Sequence, residues 1–180
     1  YHELSDYENA MEEYTQSLKL SRELGNKISE CSTLGNLGNL YKAMGNYPAA
    51  LKHCTLALNI ARDIGNKRNE CAHLGNIANI NQELGNTAEA INYYLLSRQM
   101  ARDIGDRHRE AVQLGNLGIL YSSSGEYDQA IAFYEQSIQI AKETNDTLNE
   151  GVQIGNLGDL LSKIERWDEA ETCLTQAIDI

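Results

Sequence analysis

Apolar side chains along this chain fall three and four positions apart, in runs that stop and restart at a fixed interval. Leu34, Leu37, Tyr41 and Met44 mark one stripe; Ala50, Leu51, Cys54, Leu58 and Ala61 mark the next. That spacing gathers side chains on one face of a helix with a period near 3.6 residues. Gly45-Asn46 separates the two stripes, as a left-handed glycine closing one helix and an asparagine capping the next would. Gly65-Asn66 closes the second helix in the same way, and Pro48, the only proline, lies in its first turn, where a missing N–H costs nothing. The pattern predicts a pair of antiparallel helices over 28–66, with no run that reads as a strand.

The pair then repeats. Leu34-Gly35-Asn36-Leu37-Gly38-Asn39 returns forty residues later as Leu74-Gly75-Asn76-Ile77-Ala78-Asn79, then as Leu114-Gly115-Asn116-Leu117-Gly118 and as Ile154-Gly155-Asn156-Leu157-Gly158. Self-similarity at a fixed step of this size marks a stack of units, each burying its apolar face only against its neighbours. The expected organisation is one elongated solenoid over 1–180, with units near 1–26, 27–66, 67–106, 107–146 and 147–180. Tyr1 falls at the register of Tyr41 and Ile180 at that of Ile60, so about four and a half repeats are expected, cut at both ends. Ala10, Ala50, Ala90, Ala130 and Ala170, with Gly38, Ala78, Gly118 and Gly158, hold small residues where helices are expected to cross closely. Tyr7, Tyr47, Tyr127 and Trp167 are expected to fill space at the start of each second helix.

The order of Gly38, Tyr41, Gly45, Tyr47 and Ala50 resembles the tetratricopeptide repeat, here with a forty-residue unit in place of the usual 34. The resemblance covers the whole chain. It implies an all-α, right-handed superhelical solenoid that binds proteins. The Leu-Gly-Asn phrase also resembles the Pins/LGN cell-polarity adaptors and, less closely, kinesin light chains. Asn81 at the Tyr41 register, Ser97 at the Ala57 register and Glu165 at the Gly45 register depart from the pattern.

Opposite the apolar stripe of each first helix lies a polar face: Ser32, Asn36, Asn39 and Ala43, then Ala72, Asn76, Asn79 and Glu83, and their later equivalents. Stacking turns such faces into the wall of a groove. An asparagine donates and accepts together, so Asn36, Asn76, Asn116 and Asn156, with Asn39 and Asn79 beside them, are candidate contacts to the backbone of an extended peptide. Gly35, Gly75, Gly115 and Gly155 would let a ligand approach closely. The same asparagines and glycines equally suit helix packing.

Charge narrows the partner. Fifteen basic against 26 acidic residues give a net charge of −11, which disfavours phosphate backbones and anionic membranes, and no apolar run is long enough to span a bilayer. Cys31, Cys54, Cys71 and Cys173 show no CxxC spacing and read as free thiols of a reducing, cytoplasmic setting. His2, His53, His73 and His108 occupy scattered registers with no ligand partners, His73 alone near the groove and expected in solvent. Neither a metal or cofactor site nor a catalytic constellation is expected, and the chain reads as a non-enzymatic scaffold for an unidentified protein or peptide. Two alternatives stay open: a regulatory or sensory segment of a larger enzyme or transcription factor, or a purely architectural solenoid that self-associates through its ends.

Overall fold

The computed structural model describes residues 2–180, and side chains from residue 7 onward; Tyr1 and His2 therefore lie, wholly or in their side chains, outside what is described. Among the described residues there are nine helices and no strand. They are α1 (His2–Glu23), α2 (Lys27–Ala43), α3 (Tyr47–Asp63), α4 (Lys67–Glu83), α5 (Thr87–Asp103), α6 (Arg107–Ser123), α7 (Tyr127–Thr144), α8 (Thr147–Lys163) and α9 (Trp167–Asp179). First helices begin at Lys27, Lys67, Arg107 and Thr147, and second helices at Tyr47, Thr87, Tyr127 and Trp167. Both series keep the forty-residue step.

Turn chemistry sets that step. After α1, Gly25 takes φ +65°, its N–H donates to the Arg22 carbonyl and the Asn26 N–H reaches back to Ser21. Those are the two bonds of a Schellman closure. The Asn26 side chain then accepts from the Ser29 N–H and caps α2, as Asn46 does for α3 and Asn66 for α4. Asp106 and Asp146 do the same for α6 and α8. Glu165 adopts φ +63° where the corresponding turns carry glycine. A side chain held there costs about 1–2 kcal/mol, so Glu165→Gly should stabilise the chain by about 1 kcal/mol and raise its melting temperature by a few degrees. Equal melting of the two proteins would remove that strain from the description.

The chain forms two compact units, 1–93 and 94–180. In the first, α1 packs on α2, α2 on α3 and α3 on α4, while α2 also touches α4. Cys31, Leu34, Ala57 and Ala61 form a core cluster there, with Leu18 and Ile60 against it. Ala50 has no exposed surface, and a Cβ on Gly38 would collide with Cys54 Sγ and sit 3.3 Å from the Ala50 carbonyl oxygen. Here α2 and α3 cross at backbone contact, as the small residues predict.

In the second unit α6 pairs with α7, α7 packs on α8 and α8 pairs with α9, while α6 touches α8. Ala130, Tyr134, Leu157, Leu160, Leu161 and Ala170 form its largest described cluster. A Cβ on Gly118 would lie 2.6 Å from the Tyr134 ring. Cys31 Sγ donates to the Ala57 carbonyl (3.3 Å), and at the matching place Ser137 Oγ donates to the Ala111 carbonyl (2.8 Å), with donor and acceptor helices exchanged.

Trp167 differs from its expectation. Tyr47 donates to Glu83 Oε2 (3.2 Å) and Tyr127 lies under Lys163 Nζ (5.2 Å), each ring meeting the next first helix. Trp167 opens the last described helix, meets no such partner and is exposed.

Candidate functional site

The polar faces of the first helices are open to solvent. On α2, Ser32, Asn36, Asn39 and Ala43 are all exposed. On α4, Asn76 and Asn79 are half-buried and Glu83 is exposed. In the second unit Asn116 and Asn156 are half-buried, and Ile119, Ser123, Asp159 and Lys163 are exposed beside them. Apolar side chains on the opposite side of each helix dictate this orientation: Leu34 and Leu37 on α2, and Leu114 and Leu117 on α6, are buried.

Between α6 and α8 the second unit opens a cavity of about 400 Å³, lined by Ile119, Ser122, Tyr134, Asn156, Asp159 and Lys163 among others. It combines an apolar wall, an amide, a carboxylate and an ammonium. Asn156 is steadied from within, since its Nδ2 donates to Gln153 Oε1 (3.3 Å) and Gln153 Nε2 donates to Asn149 Oδ1 (3.1 Å). Its Oδ1 is left to accept.

The glycines of the repeated phrase lie deeper than the asparagines. Gly35, Gly75 and Gly115 are buried, and Gly155 is half-buried. A Cβ on Gly35 would stand 2.5 Å from the His73 ring, and one on Gly115 would stand 2.5 Å from Gln153 Oε1. The close approach these two glycines permit is that of the next first helix. His73, expected in solvent, is buried with its Nε2 3.4 Å from Cys31 Sγ. A helical wheel places it near the polar face, but the seat left by Gly35 draws the ring inward.

The sequence reading missed an ionic contact built into the repeat. Glu30, Glu70 and Glu110 are buried on the first turns of α2, α4 and α6. Arg22 Nε from α1 and Lys27 Nζ grip Glu30 at 2.9 and 2.7 Å, and Arg62 from α3 and Lys67 grip Glu70 at 3.0 and 2.9 Å. In the second unit Arg107 bridges Glu110 and Glu143, both at 2.6 Å. The signal was present in the forty-residue recurrence of Glu30, Glu70, Glu110 and Glu150.

Hydrogen bonds from Lys27 and Arg22 hold the Glu30 carboxyl below the ordinary 4.5. Burial pushes Glu70 up, but Lys67 and Arg62 together pull it further down. A carboxylate depressed on folding contributes stability above its unfolded value, and that contribution is lost as pH falls through the folded value. Melting temperature should therefore fall between about pH 5 and about pH 3, and Glu30→Gln/Glu70→Gln should flatten that part of the curve. A double variant with the parental slope would assign the acid sensitivity to other carboxylates.

Other chemistry is sparse. Cys31, Cys54, Cys71 and Cys173 are free thiols, and burial pushes Cys54 up to about 11. Among the described residues no group of three or more His, Cys, Asp or Glu side chains could hold a metal ion, and no helix is long and apolar enough to cross a membrane.

Paired helices at a constant step, crossing on small residues and turning polar faces outward, define an all-α repeat protein of the solenoid class. The chain belongs to the tetratricopeptide repeat family, whose models match residues 1–63, 69–143 and 153–180. Among solved structures it is similar to BtubC (BKLC) from P. vanneervenii, at 23% identity and a TM-score of 0.89 over 99% of this chain and 74% of that one. It is similar to the nearly identical TPR-like repeats of a Podospora anserina protein described as a kinesin light chain, at 16% identity and a TM-score of 0.77 over 99% and 89%. It also resembles a Rap protein complexed with competence and sporulation factor, at 16% identity and a TM-score of 0.83 over 99% of this chain and 50% of that one. Compared with curated protein sequences, the chain matches none. The resemblance to Pins/LGN adaptors thus rests on the Leu-Gly-Asn phrase and the forty-residue step of the sequence.

Proposed function

We propose that this chain is a protein-interaction module that holds an extended partner segment against the polar faces of its first helices. The observation that carries this reading is the cavity between α6 and α8, where Asn156, Asp159 and Lys163 converge with Ile119 and Tyr134. Amides supply sequence-tolerant bonds to a peptide backbone, while the register of Ile119 and Asp159 changes from unit to unit and selects side chains. Asn36 and Asn39 offer the corresponding face on α2, and Asn76 and Asn79 on α4. Gly35 and Gly115 serve the same end indirectly, by letting neighbouring first helices close up.

A regulatory or sensory role inside a larger protein is the second reading. The Rap complex favours it, since that neighbour of the same fold holds competence and sporulation factor.

Selection from a random peptide library followed by amide chemical-shift mapping tests the proposal. Selected peptides should shift Ile119, Ser123, Asn156 and Asp159 in the second unit or their counterparts in the first. Shifts confined to the second helices would refute it.

A further inference from the structure

We propose a second binding site on the last repeat: a pocket between α7, α8 and α9 that takes an aromatic side chain followed by a basic residue on a partner protein. The pocket measures about 380 Å³, is floored by Ile131, Leu157 and Leu161, and has the Cys173 thiol in its wall. It shares no residue with the asparagine cavity, so it stands or falls independently of the reading above.

Two of the three preceding repeats show what fits there, while the third carries Asn81 at the Leu161 register. At the registers of Leu161 and Cys173, the unit after α1 carries Tyr41 and His53, stacked with ring centroids 4.9 Å apart. The unit before the last carries Tyr121 and Phe133, stacked at 5.2 Å. The fold thus accommodates two rings at this place, and the last repeat replaces both with smaller side chains while keeping the helices around them. A pocket of this size with an apolar floor lies within the range of ligand sites. An aromatic ring is the shape that two of those copies, the immediately preceding one included, put into it.

The rim supplies the second half of the recognition. Glu135, Asp168 and Glu169 stand around the mouth with one guanidinium, Arg166. That guanidinium is committed to Glu169 through two bonds of 2.6 and 2.5 Å. Arg166 also feels the charge of Glu135, yet three carboxylates still face a single guanidinium, an acidic excess that suits a cation next to the inserted ring.

The test uses the whole chain, methyl-labelled, with the probe N-acetyl-Phe-Arg-amide at about 20 mM, a range suited to a single-residue anchor. The probe should shift the methyls of Ile131, Leu157 and Leu161 and slow iodoacetamide modification of Cys173 at least threefold. N-acetyl-Ala-Arg-amide and N-acetyl-Phe-Glu-amide should each do so less than half as well. Leu161→Tyr/Cys173→Phe rebuilds the pair of the preceding repeat; it should raise the melting temperature and abolish the methyl shifts. Should that double variant melt lower than the parent, Cys173→Phe alone is the replacement, with the same loss of shifts expected. Shifts that persist in a filled, folded variant would overturn the proposal, as would equal effects of the alanine or glutamate probes. Modification of Cys173 that slows with protein concentration and no probe would give the pocket to a second copy of the chain, and would also overturn it.

Discussion

Ala130→Leu should lower the melting temperature by roughly 3–10 °C, while Ala132→Leu, two positions along the same helix, should leave it within about 2 °C. Ala130 is fully buried in the cluster with Tyr134, Leu157 and Ala170, whereas Ala132 is exposed. At the matching crossing of α2 and α3, the backbone around Ala50 approaches the Gly38 position to 3.3 Å. Extra methylenes have nowhere to go unless the helices separate, and overpacking of this kind costs about 1–3 kcal/mol. Ala50→Leu should repeat the loss in the first unit, measured by calorimetry under the same conditions. A leucine at 130 that melts with the parent would mean that α6 and α7 do not cross there, and the forty-residue alignment behind the assignment would fail with it.

Such a crossing is legible in the sequence because it depends on one residue type at one register. Helix ends are legible for the same reason: Gly25 and Asn26, or Gly65 and Asn66, carry their conformational meaning locally. What a helical wheel cannot supply is the identity of the neighbour. Gly35 reads as a notch for a ligand until the His73 ring is seen to occupy it. Glu70 passes unnoticed because burial of a carboxylate is disfavoured; Arg62, contributed by the preceding helix, makes it tolerable. Asn81 reads as a lapse in packing at a tyrosine register. In place, its Nδ2 donates to the Ile77 carbonyl (2.9 Å) and its Oδ1 accepts from Asn86 (3.2 Å), so a buried amide replaces a ring. The candidate face itself was legible, since buried leucines on one side of a helix leave the asparagines on the other. The cavity beside Asn156 was not, because its walls come from two helices and from Tyr134 beneath them.

Asn116→Ala/Asn156→Ala should weaken binding of a selected peptide ten- to a hundred-fold with little change in melting. Both side chains belong to the second unit and are half-buried, so each retains surface toward a ligand while the helix fixes its position. A hydrogen bond from either to a peptide backbone contributes about 0.5–1.5 kcal/mol, and the two together give the stated range. Asn156 also donates to Gln153, a bond of 3.3 Å at the edge of solvent, so its removal should cost the fold less than it costs the complex. Glu12 and Glu13 are exposed on α1, away from any first-helix face, and Glu12→Gln/Glu13→Gln should alter affinity by less than about twofold while reducing the salt dependence of association. Calorimetric titration of all three proteins with one peptide decides between the two roles open to asparagine at this register. Parental affinity in a folded Asn116→Ala/Asn156→Ala protein would make these residues part of the helix packing, and the partner's contacts would then have to come from Ile119, Asp159 and Lys163.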